Sequence, residues 1–121
     1  MKGIARYKKV GVQSASNGQV LVMLMRGAML KLDEAADSVE VDPKSAVERL
    51  RTVRKIYGEL LAALDDSHAP EVCGNLRRLY TWCIRELAHA ERDLDRSKIL
   101  GVGQVTETLL EAWTGAIAEA R

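Results

Sequence analysis

The chain has 121 residues, and its 18 Lys and Arg side chains nearly balance 17 Asp and Glu, for a formal net charge of +1. A chain of this length forms one domain around a single core, so residues 1–121 are expected to fold as one unit. The near-neutral charge gives no long-range attraction to nucleic acid or to an anionic membrane, and neither is expected as a partner. Phe is absent and Pro is scarce, while Leu, Ala, Arg and Glu are frequent, which favours helices over strands.

Targeting and redox signals are those of a cytoplasmic protein. The basic N-terminus is not followed by the apolar run of a signal peptide, and no stretch has the length and purity of a membrane span. Cys73 and Cys83 fall in one predicted helix, where their separation corresponds to about 15 Å of helical rise. That distance is too long for a disulfide, so we expect two reduced thiols in or near the core.

The first long helix is predicted from about Asn17 to about Val39, and Ser16 with Gln19 has the spacing of a capping box. Residues 1–15 have no strong periodicity, and we expect a short helical or extended arm lying on a bundle formed by residues 16–121. The apolar residues of the arm are Ile4, Tyr7, Val10 and Val12.

The first helix is apolar on more sides than one core stripe requires. At 3.6 residues per turn, one face aligns as the core stripe. Its members are Leu21, Leu24, Met25, Ala28, Leu32, Ala35, Ala36 and Val39. The apolar residues outside it are Val22, Met23, Met29 and Leu30. This second patch has to be covered, either by the arm or by a partner.

Three further helices follow the same alternation of three and four residues. Asp42 and Pro43 predict the start of the second helix as N-cap and first helical residue, the third begins at Pro70, and Asp95 or Ser97 caps the fourth. The predicted core positions are Ala46, Leu50, Val53, Tyr57, Leu60 and Leu64 on the second; Val72, Leu76, Leu79, Cys83, Leu87, Ala90 and Leu94 on the third; and Ile99, Val102, Thr106, Leu109, Trp113, Ile117 and Ala120 on the fourth. Four helices joined by short loops predict an all-α, antiparallel up-down four-helix bundle.

No constellation of catalytic residues stands out in the sequence. Glu86 and His89 have the i, i+3 spacing used by carboxylate-bridged di-iron bundles, but such a site needs a second pair and two further glutamates. An exposed His89 would also suit a phosphotransfer bundle, although a single surface histidine is weak evidence. Gly101 and Gly103 lack the preceding strand and the third glycine of a phosphate-binding loop. We therefore expect no enzyme, no metal and no cofactor.

What remains is binding through apolar surface. Ile56 and Trp82 lie off the core stripes of the second and third helices, and together with the extra patch on the first helix they suggest one or more grooves for a partner segment. Methionine suits such surfaces because it is flexible and polarizable. Alternatively, the N-terminal arm folds over the patch and completes the core. Both interpretations hold if the arm is a detachable cover.

Four blocks of the sequence, in order and with matching spacing, resemble the flagellar secretion chaperone FliS family. The blocks are Ile4-x-x-Tyr7 with Val12, the run Ser14–Ala28, Leu79–Leu87 with Ala90, and Leu110–Trp113. The likeness covers nearly the whole chain. The sequence departs from the family pattern in carrying Asn17 where Pro is usual, and Met25 and Arg26 where a Tyr-Asp pair is usual.

The resemblance implies a helical bundle whose grooves bind the disordered C-terminal segment of flagellin, prevent its premature polymerisation and deliver it to the type III export apparatus. It also implies that the N-terminal strip helps to close the empty groove and takes part in docking to the export gate. The residues expected at the partner surface are Ile4, Tyr7, Val22, Met23, Met29, Ile56 and Trp82. We expect a monomer or weak homodimer. The alternative is a diverged bundle that binds another helical protein or only itself.

Overall fold

In the computed structural model, which describes residues 15–67 and 69–120, the chain forms four α-helices. They are α1 (Ala15–Ser38), α2 (Pro43–Ala62), α3 (Pro70–Asp93) and α4 (Arg96–Ala120). The arm residues Ile4, Tyr7, Val10 and Val12 lie outside the described residues, as do the side chains of Ser16, Ile117 and Ala120. The predicted arm and capping box therefore stay predictions. None of the four described helices combines the length and the apolarity needed to cross a lipid bilayer.

Local capping chemistry sets where the later helices begin. The Asp42 carboxylate accepts a hydrogen bond from the Ser45 backbone N–H at 3.3 Å, and Pro43 occupies the first turn of α2, where its missing N–H costs nothing. At α4 the Asp95 carboxylate accepts from the Ser97 backbone N–H at 3.0 Å. This hydrogen bond, made one residue before the helix begins, identifies Asp95 as the cap. Hydrogen bonding from Ser97 also holds the pKa of Asp95 below its usual value.

Each helix packs against two neighbours, and the order around the bundle follows the chain. α1 packs against α2 and α4, and α3 packs against the same two helices. Because the loops are short, consecutive helices run in opposite directions. The first and last helices are joined by a hydrogen bond. Arg96, the first residue of α4, donates from Nε to the backbone oxygen of Ala36 near the end of α1, at 3.1 Å. The predicted antiparallel up-down bundle is confirmed.

The centre of the core joins three helices through a small polar contact. Tyr57 of α2 and Tyr80 of α3 are fully buried, with ring centroids 5.7 Å apart. The Tyr57 hydroxyl lies 2.5 Å from Thr106 Oγ1 on α4. Since Thr106 donates its own hydroxyl proton to the Val102 backbone oxygen at 2.8 Å, Tyr57 is the donor of this pair. A buried hydroxyl is thereby satisfied inside an otherwise apolar core.

Among the residues whose side chains are described, the predicted core stripes of α1, α2 and α4 are buried with two exceptions. Leu24 is half-buried rather than buried, and Leu64 lies beyond the end of α2 and is also half-buried. The stripe predicted for α3 is only partly right in its first half, where Leu76 and Leu79 pack against the core without being fully buried. The structure buries Cys73 and Tyr80, while Val72, Leu76 and Leu79 are half-buried. Tyr80 packs against Tyr57 with the two rings tilted by 52°, and the buried face of this half of α3 lies part of a turn away from the predicted stripe.

Leu94 is another correction, because it was predicted in the core and is 38% exposed. α3 ends at Asp93, and Leu94 follows in the left-handed region with φ 54°, while its N–H still donates to the Ala90 backbone oxygen at 2.8 Å. The left-handed cap reverses the chain and turns the side chain away from the stripe that a continued helix would have followed.

Leu94→Gly is expected to raise the free energy of unfolding by about 1 kcal/mol, since glycine adopts a positive φ without the steric cost that an L side chain meets. Urea unfolding followed by circular dichroism measures the change. Leu94→Ala is the matched control, because it removes the leucine side chain but keeps the Cβ that causes the strain. A gain of equal size in the alanine variant would show that the backbone conformation is not the cause.

Candidate partner-binding surface

The side of α1 that faces away from the bundle carries a row of exposed apolar side chains. Val20, Met23 and Leu30 are 51%, 69% and 59% exposed, and Gly27 lies between the last two. A Cβ placed on Gly27 would have nothing within 4 Å. We call these four residues the α1 outer face. Their spacing of three, four and three residues keeps them on one side of the helix, opposite the buried stripe that includes Met25 and Leu32.

Met29 lies on a different side of α1, next to α4. It is half-buried and lines a groove between the two helices together with Leu100 and Gly103. Met23 and Met29 therefore both reach the surface, as predicted for a patch outside the core stripe. The two side chains lie on different sides of α1. The extra apolar surface of this helix therefore consists of two parts, the α1 outer face and the α1–α4 groove.

Val22 is not part of that exposed surface. It is only 6% exposed and belongs to the core cluster, which corrects the prediction that it lies outside the core. α1 packs against two helices at once, so its buried arc is wider than a single 3.6-residue stripe. Val22 lies on the same side as Met29, two turns away, and this is the side turned towards α4.

Ile56 and Trp82 are half-buried and pack against the core cluster. The Trp82 ring atom Cη2 lies 4.0 Å from the position that a Cβ would take on Gly101, so the indole of α3 covers α4 where that helix has no side chain. α3 is diagonal to α1 in the bundle. The candidate residues therefore do not form one continuous site, and Trp82 belongs to a surface separate from the α1 outer face. Ile4 and Tyr7 lie outside the described residues.

The polar groups considered for chemistry are engaged in ordinary surface pairs. His89 Nδ1 lies 3.7 Å from Glu86 Oε2, and Lys98 Nζ lies 3.7 Å from Glu86 Oε1. Within residues 15–67 and 69–120, no cluster of three or more His, Cys, Asp or Glu side chains is placed to hold a metal ion. Burial raises the pKa of Cys83 to about 11, so this thiol is protonated at neutral pH and is a poor nucleophile.

The comparisons with known proteins agree with one another. A family model described as flagellar protein FliS matches residues 1–120. The chain belongs to the FliS family. A flagellar secretion chaperone FliS of Salmonella typhimurium is 33% identical over 117 aligned positions, which cover 92% of this chain and 87% of the relative. A flagellar secretion chaperone FliSB of Pseudomonas aeruginosa is 27% identical over 121 positions, which cover 95% of each chain. These FliS relatives are named as chaperones, not as enzymes.

Solved structures give the same architecture. A crystal structure of a bacterial flagellar chaperone superposes on this chain with a TM-score of 0.79 over 98% of both chains, at 16% sequence identity. At that identity the likeness concerns the fold alone. Family membership therefore rests on the sequence matches, and the backbone comparison adds the same helical architecture.

Sequence reasoning missed several surface residues that the structure brings into view. Val20 extends the α1 outer face by one turn, and Leu100 and Gly103 supply the α4 side of the groove. The outer face had a signal in the sequence, since its residues repeat at intervals of three and four on the side opposite the core stripe. The groove had none, because the contributing residues of α4 are far from α1 along the chain.

Proposed function

We propose that this chain is a cytoplasmic flagellar export chaperone. In this proposal it binds the disordered C-terminal segment of flagellin, keeps that segment from polymerising and delivers it to the type III export apparatus. The observation that carries the proposal is the exposed α1 outer face on a chain of the FliS family. No catalysis is needed, because covering the assembly surface of a subunit is enough to delay its assembly.

The size of the contact follows from the cost of ordering the cargo. A disordered segment that folds on binding gives up about 2–5 kcal/mol of the interaction energy. At about 25 cal/mol per Å² of buried apolar surface, roughly 200 Å² is needed only to offset the upper figure. Met23 and Leu30 alone offer too little surface for tight binding. We therefore place the cargo over the α1 outer face and at least one further surface, with Met29, Ile56 and Trp82 as candidate contacts and Ile4 and Tyr7 as candidates in the arm.

Calorimetric titration with the C-terminal segment of flagellin tests the proposal directly. Binding with a negative heat-capacity change is expected, because apolar surface is buried. No binding at high micromolar concentration would reject flagellin as the partner.

Met23→Asp is expected to weaken binding of the flagellin segment about ten-fold, because a carboxylate replaces an apolar contact at the centre of the α1 outer face. The fold should be unaffected, since Met23 is largely exposed. The titration above gives the affinity, and circular dichroism gives the fold. Val41→Asp is the matched control, because Val41 is also exposed but lies in the loop after α1. Unfolding of the Met23 variant would place this residue in the core and end its role in the proposal.

A second candidate function is self-association through the same face. The three–four–three spacing of Val20, Met23, Gly27 and Leu30 is that of a helix–helix seam, and two identical faces can pair about a two-fold axis. Light scattering at several concentrations separates the two candidates. A chaperone stays mostly monomeric, whereas a self-associating bundle increases in mass as the concentration rises.

A further inference from the structure

The groove between α1 and α4 is apolar at its base. Leu32 and Ile99 are both nearly fully buried and form its floor, and Met29 and Leu100 form its two sides. Gly103 contributes bare backbone, and a Cβ placed there would have nothing within 4 Å. The groove has a volume of about 170 Å³. A cavity of about 150 Å³ accommodates a benzene molecule, so the groove has room for one large aliphatic side chain.

The rim of this groove carries only negative charge. Its ionisable residues are Asp33 on α1 and Glu107 on α4, and both are exposed. The basic residues at the start of α4 are engaged elsewhere, since Arg96 donates to the Ala36 backbone oxygen and Lys98 faces Glu86. Within the described part of the chain, neither rim carboxylate is paired with a basic side chain.

A second surface groove shows by contrast what an internally balanced rim looks like. It lies between the start of α2 and the end of α3, and its ionisable residues carry both signs. There Arg51 lies 3.5 Å from Glu91 within the lining, and the lining residue Arg92 lies 3.0 Å from Asp93, which is outside the lining. Both arginines of that rim thus have acidic partners close by. Of the two grooves, only the α1–α4 groove has a rim whose charged residues are all acidic.

We propose that the α1–α4 groove is a docking site for a protein segment that inserts one large aliphatic side chain and carries Lys or Arg beside it. The aliphatic side chain displaces water from the apolar floor. The basic neighbours meet Asp33 and Glu107, which set the register and reject acidic segments, because like charges at an interface are unfavourable. The inference rests on the proposed function in that the exported cargo is the partner expected to supply this segment.

The experiment uses the full chain and two synthetic peptides that differ only in charge. Each is a short helix-forming peptide with one central leucine, flanked by lysine in the first and by glutamate in the second. Amide chemical shifts of Leu100 and Gly103 report occupancy of the groove. The lysine peptide is expected to bind about ten-fold more tightly than the glutamate peptide at about 50 mM salt, and the ratio should fall at high salt because the rim is exposed.

Two sets of variants test the two halves of the proposal. Asp33→Lys combined with Glu107→Lys should reverse the preference between the peptides without affecting the fold, since both residues are exposed. Gly103→Leu should fill the groove from inside and lower the affinity for the lysine peptide about ten-fold. Gly115→Leu is its matched control, because Gly115 is also on α4 with open space at its Cβ position but is not in the groove.

Equal binding of the two peptides, or shifts confined to other residues, would overturn the inference. If Gly103→Leu does not fold, the charge-reversal variant still decides the outcome. The flagellin segment is titrated against the same variants. Absence of binding to the unmodified chain counts against the proposed function, whereas equal binding to the unmodified chain and to all variants counts against the groove alone.

Discussion

Tyr57→Ala is expected to lower the free energy of unfolding by about 3–5 kcal/mol, the range typical of large aromatic truncations in a core. The Tyr57 side chain is fully buried at the centre of the bundle, against Tyr80 and Thr106. Its loss leaves a cavity between three helices, which rigid helices cannot collapse to fill. A total stability of about 5–15 kcal/mol is usual for a domain, so the variant should lose a large fraction of its stability.

Tyr57→Phe is the control for this cavity, because it removes only the hydroxyl. Thr106 keeps a partner in the Val102 backbone oxygen, so the expected loss is about 1 kcal/mol, the net value of one hydrogen bond. Urea unfolding of both variants, followed by circular dichroism, gives the comparison. Similar losses in the two variants would mean that the hydroxyl contact, and not the packing of the ring, dominates.

Glu91→Ala is expected to lower the free energy of unfolding by about 2 kcal/mol. Arg54 on α2 donates to both carboxylate oxygens of Glu91 on α3, at 2.7 and 3.0 Å, and the Glu91 side chain is only 11% exposed. The hydrogen bond from Arg54 to Glu91 also raises the pKa of Arg54. The expected loss of unfolding free energy is smaller than for a fully buried pair. The reason is that the Arg54 side chain is 40% exposed, so its charge remains partly solvated.

Arg92→Ala is the matched control for Glu91→Ala, because Arg92 forms a similar two-point contact with Asp93 on the exposed surface. Exposed pairs contribute little, so this variant should leave the free energy of unfolding nearly unchanged. Chemical unfolding of the two variants at low and at high salt measures the change in unfolding free energy of each. A loss in Arg92→Ala as large as that in Glu91→Ala would show that burial does not govern these pairs.

The bundle could be predicted from the sequence because its signals are local. A 3.6-residue repeat fixes the buried stripe of a helix such as α2, which includes Leu50 and Val53, without knowledge of its neighbours. Asp42 with Pro43 marks a helix start through contacts within a single turn. Such signals do not depend on the other helices, and the structure agrees with them at the starts of α2, α3 and α4.

The errors occur where tertiary contacts decide. On α3 the aliphatic Val72 and Leu79 match the repeat better than Cys73 and Tyr80 do, yet the latter pair is buried, and Tyr80 packs against Tyr57 of the neighbouring helix. Leu94 continues the repeat of α3, but the helix has already ended in a left-handed residue. Periodicity ranks residues by type, and it has no information about which side of a helix the neighbouring helices occupy.

The candidate surface was predictable only in part, for the same reason. Met23 could be recognised because it lies opposite the core stripe, whatever the neighbours are. Val22 could not be placed correctly, since its burial depends on the wide arc that α1 covers against α2 and α4. The groove with Leu100 and Gly103 exists only because antiparallel packing brings α4 beside α1.

The two cysteines sit at different depths along the bundle. Cys73 Sγ donates to the Asp65 backbone oxygen at 3.2 Å, beside the loop that joins α2 to α3, whereas Cys83 lies in the interior near Tyr57. Fraying of that end exposes the first thiol and leaves the second protected. The relative speed of alkylation at the two sulfurs therefore distinguishes local opening of one end of the molecule from separation of all its helices, without any added label.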